Sequence, residues 1–200
     1  MEKVTSHSPK PPILQVTKTS YSKITKNRNL NCKITLKIYH QNIRGLRCKT
    51  NELIGHLHPI LPLILCFTEH HAHWEELQQF FMYEYNLAAY FCRTTYAKGG
   101  VCMYVHKSLK FESVDIENYC KEKDLEACAI KLNLNFTHIC IITTYRAPSG
   151  NFDFFVNNLD SIVRNIYNPA LELIICGDIN IDYLKNTDKK KPTRKPAIIL

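Results

Sequence analysis

The chain lacks an apolar run long enough to cross a bilayer. Its longest, 60–67, is interrupted by Pro62, whereas a spanning helix needs ~20 residues. The N-terminus also lacks the apolar core of a secretory signal. Asn135-Phe136-Thr137 has the form of a glycosylation triplet, but without such a signal it carries no weight. None of the nine cysteines pairs with another as Cys-x-x-Cys. Cys66, Cys102, Cys128, Cys140 and Cys176 sit inside apolar runs, where a thiol behaves as a small buried hydrophobe. An odd, scattered set of this kind fits a reducing compartment better than a disulfide framework. No internal repeat is visible. These absences lead us to expect a soluble intracellular protein, nuclear or cytoplasmic, with no membrane partner.

Acidic residues are nearly missing from both ends. Residues 1–33 hold seven Lys/Arg and one acid, net +6, and 185–200 hold six and one, net +5. The span 34–184 is net −3, although the whole chain is +8. A total of that size suggests a polyanionic partner. Its placement confines the suggestion to the tails, which either grip a nucleic-acid backbone without sequence choice or are solvated extensions. The polar segment 1–33 reads as a disordered basic tail, 34–186 as one domain, and 187–200 as a second basic tail.

Within the domain, Ile34, Leu36, Ile38 and His40 alternate with polar neighbours, predicting a strand over 34–40. A loop follows, then a short helix over 52–57 ended by Pro59, and a buried strand over 61–67. Trp74, Leu77, Gln78 and Phe81 recur at helical spacing and predict a helix over 74–83. Strands are predicted over 88–92, 101–105, 128–134 and 138–144, with Gly99-Gly100 marking the turn before the second of these. Phe152, Phe155, Val156, Leu159, Ile162, Val163 and Ile166 mark one face of an amphipathic helix, with Asp153 and Asn157 on its other side. A last strand is predicted over 171–176. Strands outnumber helices and several can pair as hairpins, which argues for a mixed, layered α/β domain.

Polar residues recur just beyond the apolar strands: Asn42, Glu69, Tyr145, and Asp178 with Asn180. Strand ends are where residues distant in sequence converge in layered α/β folds, and converging carboxylates and amides suit a hard divalent cation such as magnesium. Singly, each has an ordinary explanation as a cap, a turn residue or a core-edge aromatic. Three further clusters invite plain readings. His70, His71 and His73 crowd one loop with no cysteine nearby, which disfavours zinc. Glu122, Asp124 and Glu126, with Lys121 and Lys123, read as a solvated charged turn. Trp74 and the aromatics of 80–91 could stack bases, but their spacing favours core packing.

In order along the chain, Gln41-Asn42-Ile43-Arg44-Gly45-Leu46, Phe67-Thr68-Glu69-His70, Lys98-Gly99-Gly100-Val101, Tyr145-Arg146-Ala147-Pro148 and Gly177-Asp178-Ile179-Asn180 resemble the motifs of the endonuclease/exonuclease/phosphatase superfamily. They look most like endonuclease domains of non-LTR retrotransposons. The resemblance implies a four-layered α/β sandwich, two packed mixed sheets flanked by helices, acting on DNA with Mg2+ or Mn2+ and no small-molecule cofactor besides the metal. It assigns metal binding to Glu69, ordering of that glutamate and the metal site to Asn42, and contact near the scissile phosphate to Tyr145. It gives activation of water to Asp178 and phosphate binding to Asn180. Two departures accompany it. Arg44 stands where many members carry a carboxylate. The family's terminal Asp-His pair has no counterpart after Asp178, where only Asp182 and Asp188 follow and no histidine. The resemblance therefore implies a copy lacking its last strands and impaired in cleavage. The alternatives are a non-catalytic nucleic-acid-binding remnant and, within the same fold, a lipid or inositol phosphatase.

Overall fold

The structure, a computed structural model, describes residues 36–47, 49–58, 61–134 and 137–181. Outside these lie both expected tails, the first residues of the 34–40 strand, the Pro59 stop and the acids Asp182 and Asp188.

Two four-stranded mixed sheets form the domain. The first is built from β1 (Ile38–Asn42), β2 (Ile64–Thr68), β3 (Tyr85–Phe91) and β4 (Val101–His106), in the order β1-β2-β4-β3. The second contains β5 (Phe111–Val114), β6 (Glu126–Leu134), β7 (Thr137–Tyr145) and β8 (Leu171–Asp178), in sequence order. Each sheet contains one parallel pair joined across a helix. α1 (Thr50–Leu57) links β1 to β2, and α3 (Phe152–Ile166) links β7 to β8. A parallel pair needs a crossover of this kind, because its second strand must start at the end where the first began.

The alternation of side chains along β2 and β7 builds the layers. Ile64 and Cys66 meet Ile139 and Ile141 in the core between the sheets. Leu65 and Phe67 face the other way, toward Leu53 and Leu57 of α1. Cys140 and Ile142 turn toward Phe155, Leu159 and Ile162 of α3. With both faces covered, these strands are continuously apolar rather than half polar. The result is a helix–sheet–sheet–helix sandwich, the architecture expected. No helix among the described residues is long and apolar enough to cross a membrane.

Some expectations need correction. The helix predicted over 74–83 is only α2 (Trp74–Leu77), because its proposed apolar face does not exist: Leu77 is buried but Phe81 is 84% exposed. The aromatics that follow divide accordingly. Phe80, Tyr85 and Phe91 pack against the core clusters, while Tyr83 is on the surface. Trp74 stacks on Tyr90 at 4.3 Å with both rings partly exposed. Val156 leaves the apolar face of α3 and is exposed. The run 121–126 is not a solvated turn: Glu126 is wholly buried, and Glu122 accepts the backbone N–H groups of Thr94, Thr95 and Tyr96. Strand β5 was not anticipated.

Candidate active site

Because β1 runs parallel to β2, and β7 to β8, all four strands end on one rim. Asn42 pairs with Thr68 in the first sheet and Tyr145 with Asp178 in the second. The loops beyond them continue the ladder. Ile43, Gly45 and Leu46 donate backbone N–H groups to the carbonyls of Thr68, Glu69 and His70, and His71 donates to Gly99 at 2.9 Å. Held from both sides, Glu69 adopts φ +55°, and Arg44, His71 and Asn180 are also left-handed. Non-glycine residues rarely occupy this region, and they gather at functional sites where surrounding bonds over-determine them.

This backbone brings the polar side chains together across the two sheets. Asn42 Nδ2 donates to Glu69 Oε1 and to Asp178 Oδ2, each at 2.8 Å. Asn42 Oδ1 accepts the Arg44 N–H at 3.2 Å, which fixes the amide's orientation. Glu69 also accepts the Tyr145 hydroxyl and contacts His71 Nε2 at 3.2 Å. Partial burial pushes the Glu69 carboxyl up, but the bonds from Asn42, Tyr145 and His71 outweigh it and hold the group below the usual carboxylate range. Tyr145 is pushed up, first by burial and then by the Glu69 carboxylate, so its hydroxyl stays a donor. Glu69, Asn42, Tyr145 and Asp178 are thus one hydrogen-bonded cluster. Asn180 lies at its margin. Its N–H donates to Asp178 Oδ1 at 3.2 Å, and its side chain donates to the Arg146 carbonyl at 2.8 Å.

Sequence reasoning assigned no role to Arg146, Arg93, Glu126 or His70. The buried Arg146 clasps the turn after β8. Its Nε donates to the Ile179 carbonyl, Nη2 to that of Asn180 and Nη1 to that of Gly150. His70 is buried behind Glu69, with Nε2 facing the Phe91 carbonyl and Nδ1 accepting the Ala72 N–H. In the sequence Arg93 and Glu126 abut apolar runs, and His70 and Arg146 fall within the motifs quoted above.

The oxygen donors at the rim are two carboxylates, bridged by the Asn42 amide nitrogen, while the amide oxygen is turned to the Arg44 N–H. Among the described residues no group of three or more His, Cys, Asp or Glu side chains could hold a metal. That set does not match a zinc site, which is closed by four nitrogen or sulfur ligands. It does match a hard cation that takes one or two carboxylates and keeps its waters. Next to Asn42, a groove of about 340 Å³ runs between the end of β1 and α1, with Arg44, Lys49 and His56 in its wall.

Neither a family model nor a curated protein sequence matches the chain. Solved structures do. The endonuclease domain of TRAS1, a telomere-specific non-LTR retrotransposon, superposes with TM-score 0.55 at 11% identity, covering 74% of this chain and 60% of that one. TDP2 of D. rerio, complexed with a single-strand DNA product, gives 0.53 at 12% identity over 72% and 60%. An endonuclease/exonuclease/phosphatase family protein from Leptotrichia buccalis C-1013-b gives 0.51 at 15% over 74% and 68%. The fold is therefore of the endonuclease/exonuclease/phosphatase type. The chain spans about 60% of the length of the first two of these structures.

Proposed function

We propose that this rim hydrolyses phosphodiester bonds of DNA with the aid of Mg2+ or Mn2+, as an endonuclease domain of the non-LTR retrotransposon kind. One observation carries the reading: a single amide, Asn42 Nδ2, bonds two carboxylates that are 109 residues apart in sequence and belong to different sheets. Two carboxylates held so near each other repel unless donors or a cation stand between them. Glu69, kept ionised, would hold the cation, with Asn42 ordering it. When bound, the ion supplies Lewis-acid stabilisation of charge on the phosphoryl and leaving oxygens.

The chain's own groups account for the remaining needs. Asp178 keeps lone pairs beyond those given to Asn42 and to the Asn180 N–H, and accepts the proton of the attacking water. The second amide hydrogen of Asn180 is an uncharged donor for a phosphate oxygen, and the Tyr145 hydroxyl is another once it turns from the Glu69 carboxylate to the phosphate. In this reading Asp178 is the base and turnover is slow, since among the described residues no histidine hydrogen-bonds it and His40 feels its charge only through space. DNA is the favoured substrate because the similar structures include an endonuclease domain and a protein holding a DNA product. The free thiols of the described cysteines suit an intracellular setting, nuclear or cytoplasmic.

The test is conversion of supercoiled plasmid to the relaxed form. Nicking is expected with Mg2+ or Mn2+, and it is expected to disappear with chelator, in Glu69→Ala and in Asp178→Ala. Plasmid binding, measured in parallel, is expected to persist in both variants. Cleavage that survives Glu69→Ala or excess chelator overturns the assignment.

A further inference from the structure

Behind Tyr145 lies a buried ion pair that the proposed chemistry does not use. Glu126, the first residue of β6, is fully buried, and Arg93, just past β3, is 8% exposed. Every oxygen of Glu126 is engaged. Oε1 accepts Arg93 Nε at 2.7 Å, Arg93 Nη2 at 2.5 Å and the Lys123 N–H at 2.8 Å, and Oε2 accepts the Gly100 N–H at 2.6 Å. The remaining Arg93 nitrogen reaches the Ala97 carbonyl at 3.5 Å. The pair therefore joins the outer strand of the first sheet to the second sheet. The Lys123 carbonyl extends the link to the loop after β7 by accepting the Ala147 N–H at 2.9 Å.

Its position relative to Tyr145 gives it a role. Glu126 and Tyr145 are direct cross-strand partners in the β6–β7 register. The Arg93 guanidinium carbon lies 5.9 Å from the centre of the Tyr145 ring. The Gly99-Gly100 element makes room for the arrangement. A Cβ on Gly99 would stand 2.3 Å from the Arg93 guanidinium carbon, and one on Gly100 would stand 2.3 Å from His70 Nε2. Stability alone does not call for such a pair, since well-packed apolar residues of similar volume often replace a buried ion pair at no loss. What a charged pair with two guanidinium N–H groups on one carboxylate oxygen adds is a fixed orientation for its neighbours.

We propose that Arg93 and Glu126 are positioning residues: they fix the Tyr145 ring and, through its hydroxyl, the Glu69 carboxylate. The proposal rests on the hydrolase reading for its kinetic consequence but not for its geometric one.

Two variants test it, Arg93→Lys and the double change Arg93→Met with Glu126→Gln. The Tyr145 hydroxyl proton, bonded to a carboxylate, gives an NMR signal identified by its loss in Tyr145→Phe. In both variants this signal is expected to shift or vanish while the rest of the spectrum stays dispersed. Plasmid nicking is expected to fall roughly tenfold or more in kcat, the size typical of groups that support a metal ligand, with KM nearly unchanged and Arg93→Lys retaining more than the double variant. A folded variant with an unmoved Tyr145 signal and full kcat overturns the proposal, leaving the pair a structural strap. If the double variant does not fold, Arg93→Lys decides alone. If the parent chain does not nick, the hydrolase reading fails, and the Tyr145 signal still decides whether the pair positions the ring.

Discussion

His70 shows how a residue can be fixed in one protonation state by its neighbours. Ala72 N–H donates to its Nδ1 at 3.0 Å, so Nε2 carries the proton and faces the Phe91 carbonyl at 3.1 Å. A second proton would have to displace the Ala72 bond inside a buried site. Burial accordingly lowers the His70 pKa from 6.5 to about 4, against a smaller upward pull from the Phe91 bond. Above pH ~6.5 the ring is neutral folded or unfolded, and contributes no pH dependence. Between ~6.5 and ~4 the unfolded chain binds a proton that the folded chain refuses, so stability falls as pH falls. From pH 7 to 5 the loss from this ring is about 2 kcal/mol. His40, also lowered by burial to about 4 although Asp178 pulls it upward, adds to the same trend. Urea denaturation at the two pH values should show the decline, and His70→Gln should reduce its slope. An unchanged slope in that variant would falsify this role for His70.

At the scale of elements, glycines separate free surface from enforced contact. Gly55 lies in α1 with nothing within 4 Å of an added Cβ. Gly177, near the end of β8, has φ +156°, and its Cβ would stand 1.9 Å from the Thr144 carbonyl oxygen. Gly55→Ala should stabilise by roughly 0.5–1 kcal/mol, the helix-interior difference. Gly177→Ala should destabilise by about 1–3 kcal/mol, because backbone cannot yield as a side chain can, and should displace the adjoining Asp178. Opposite signs in urea melts are the expected outcome, and equal effects would count against the packing described. The same contrast explains which elements could be read from sequence. α3 was legible because Phe155, Leu159, Ile162 and Ile166 repeat over about three turns, and β2, β4 and β7 because long apolar runs bury both faces. β5 was not, since Phe-Glu-Ser-Val is too short for a period and has no fully buried residue. Asn42, Glu69, Tyr145 and Asp178 were legible as polar residues ending apolar strands. The Arg93–Glu126 pair was not, because Glu126 sits among other charges in sequence and only the cross-strand register puts it opposite Tyr145.

On the scale of the whole molecule, the rim depends on two sheets that meet through their inner faces. Asn42 and Glu69 come from one sheet, Tyr145 and Asp178 from the other, so the cluster exists only while the sheets stay packed. The thiols report on that packing. Cys66 lies on the inner face of the first sheet, and Cys128 and Cys176 on that of the second. All three are free and buried. Reaction with a disulfide reagent needs an exposed thiolate, and burial holds the Cys128 thiol well above its usual range. By contrast, Cys92 and Cys120 are only partly buried and pushed to about 11 and about 12, in each case mainly by burial. Modification at each site, followed by peptide mass spectrometry, should therefore proceed at Cys92 and Cys120 through local motion with little dependence on urea. At Cys66, Cys128 and Cys176 it should require the sheets to part, and its rate should rise with urea as steeply as global unfolding does. Labelling of these three under native conditions as fast as at Cys92 would mean that the sheets separate without unfolding. In that event Asn42 could not hold Glu69 and Asp178 together for the time a reaction needs.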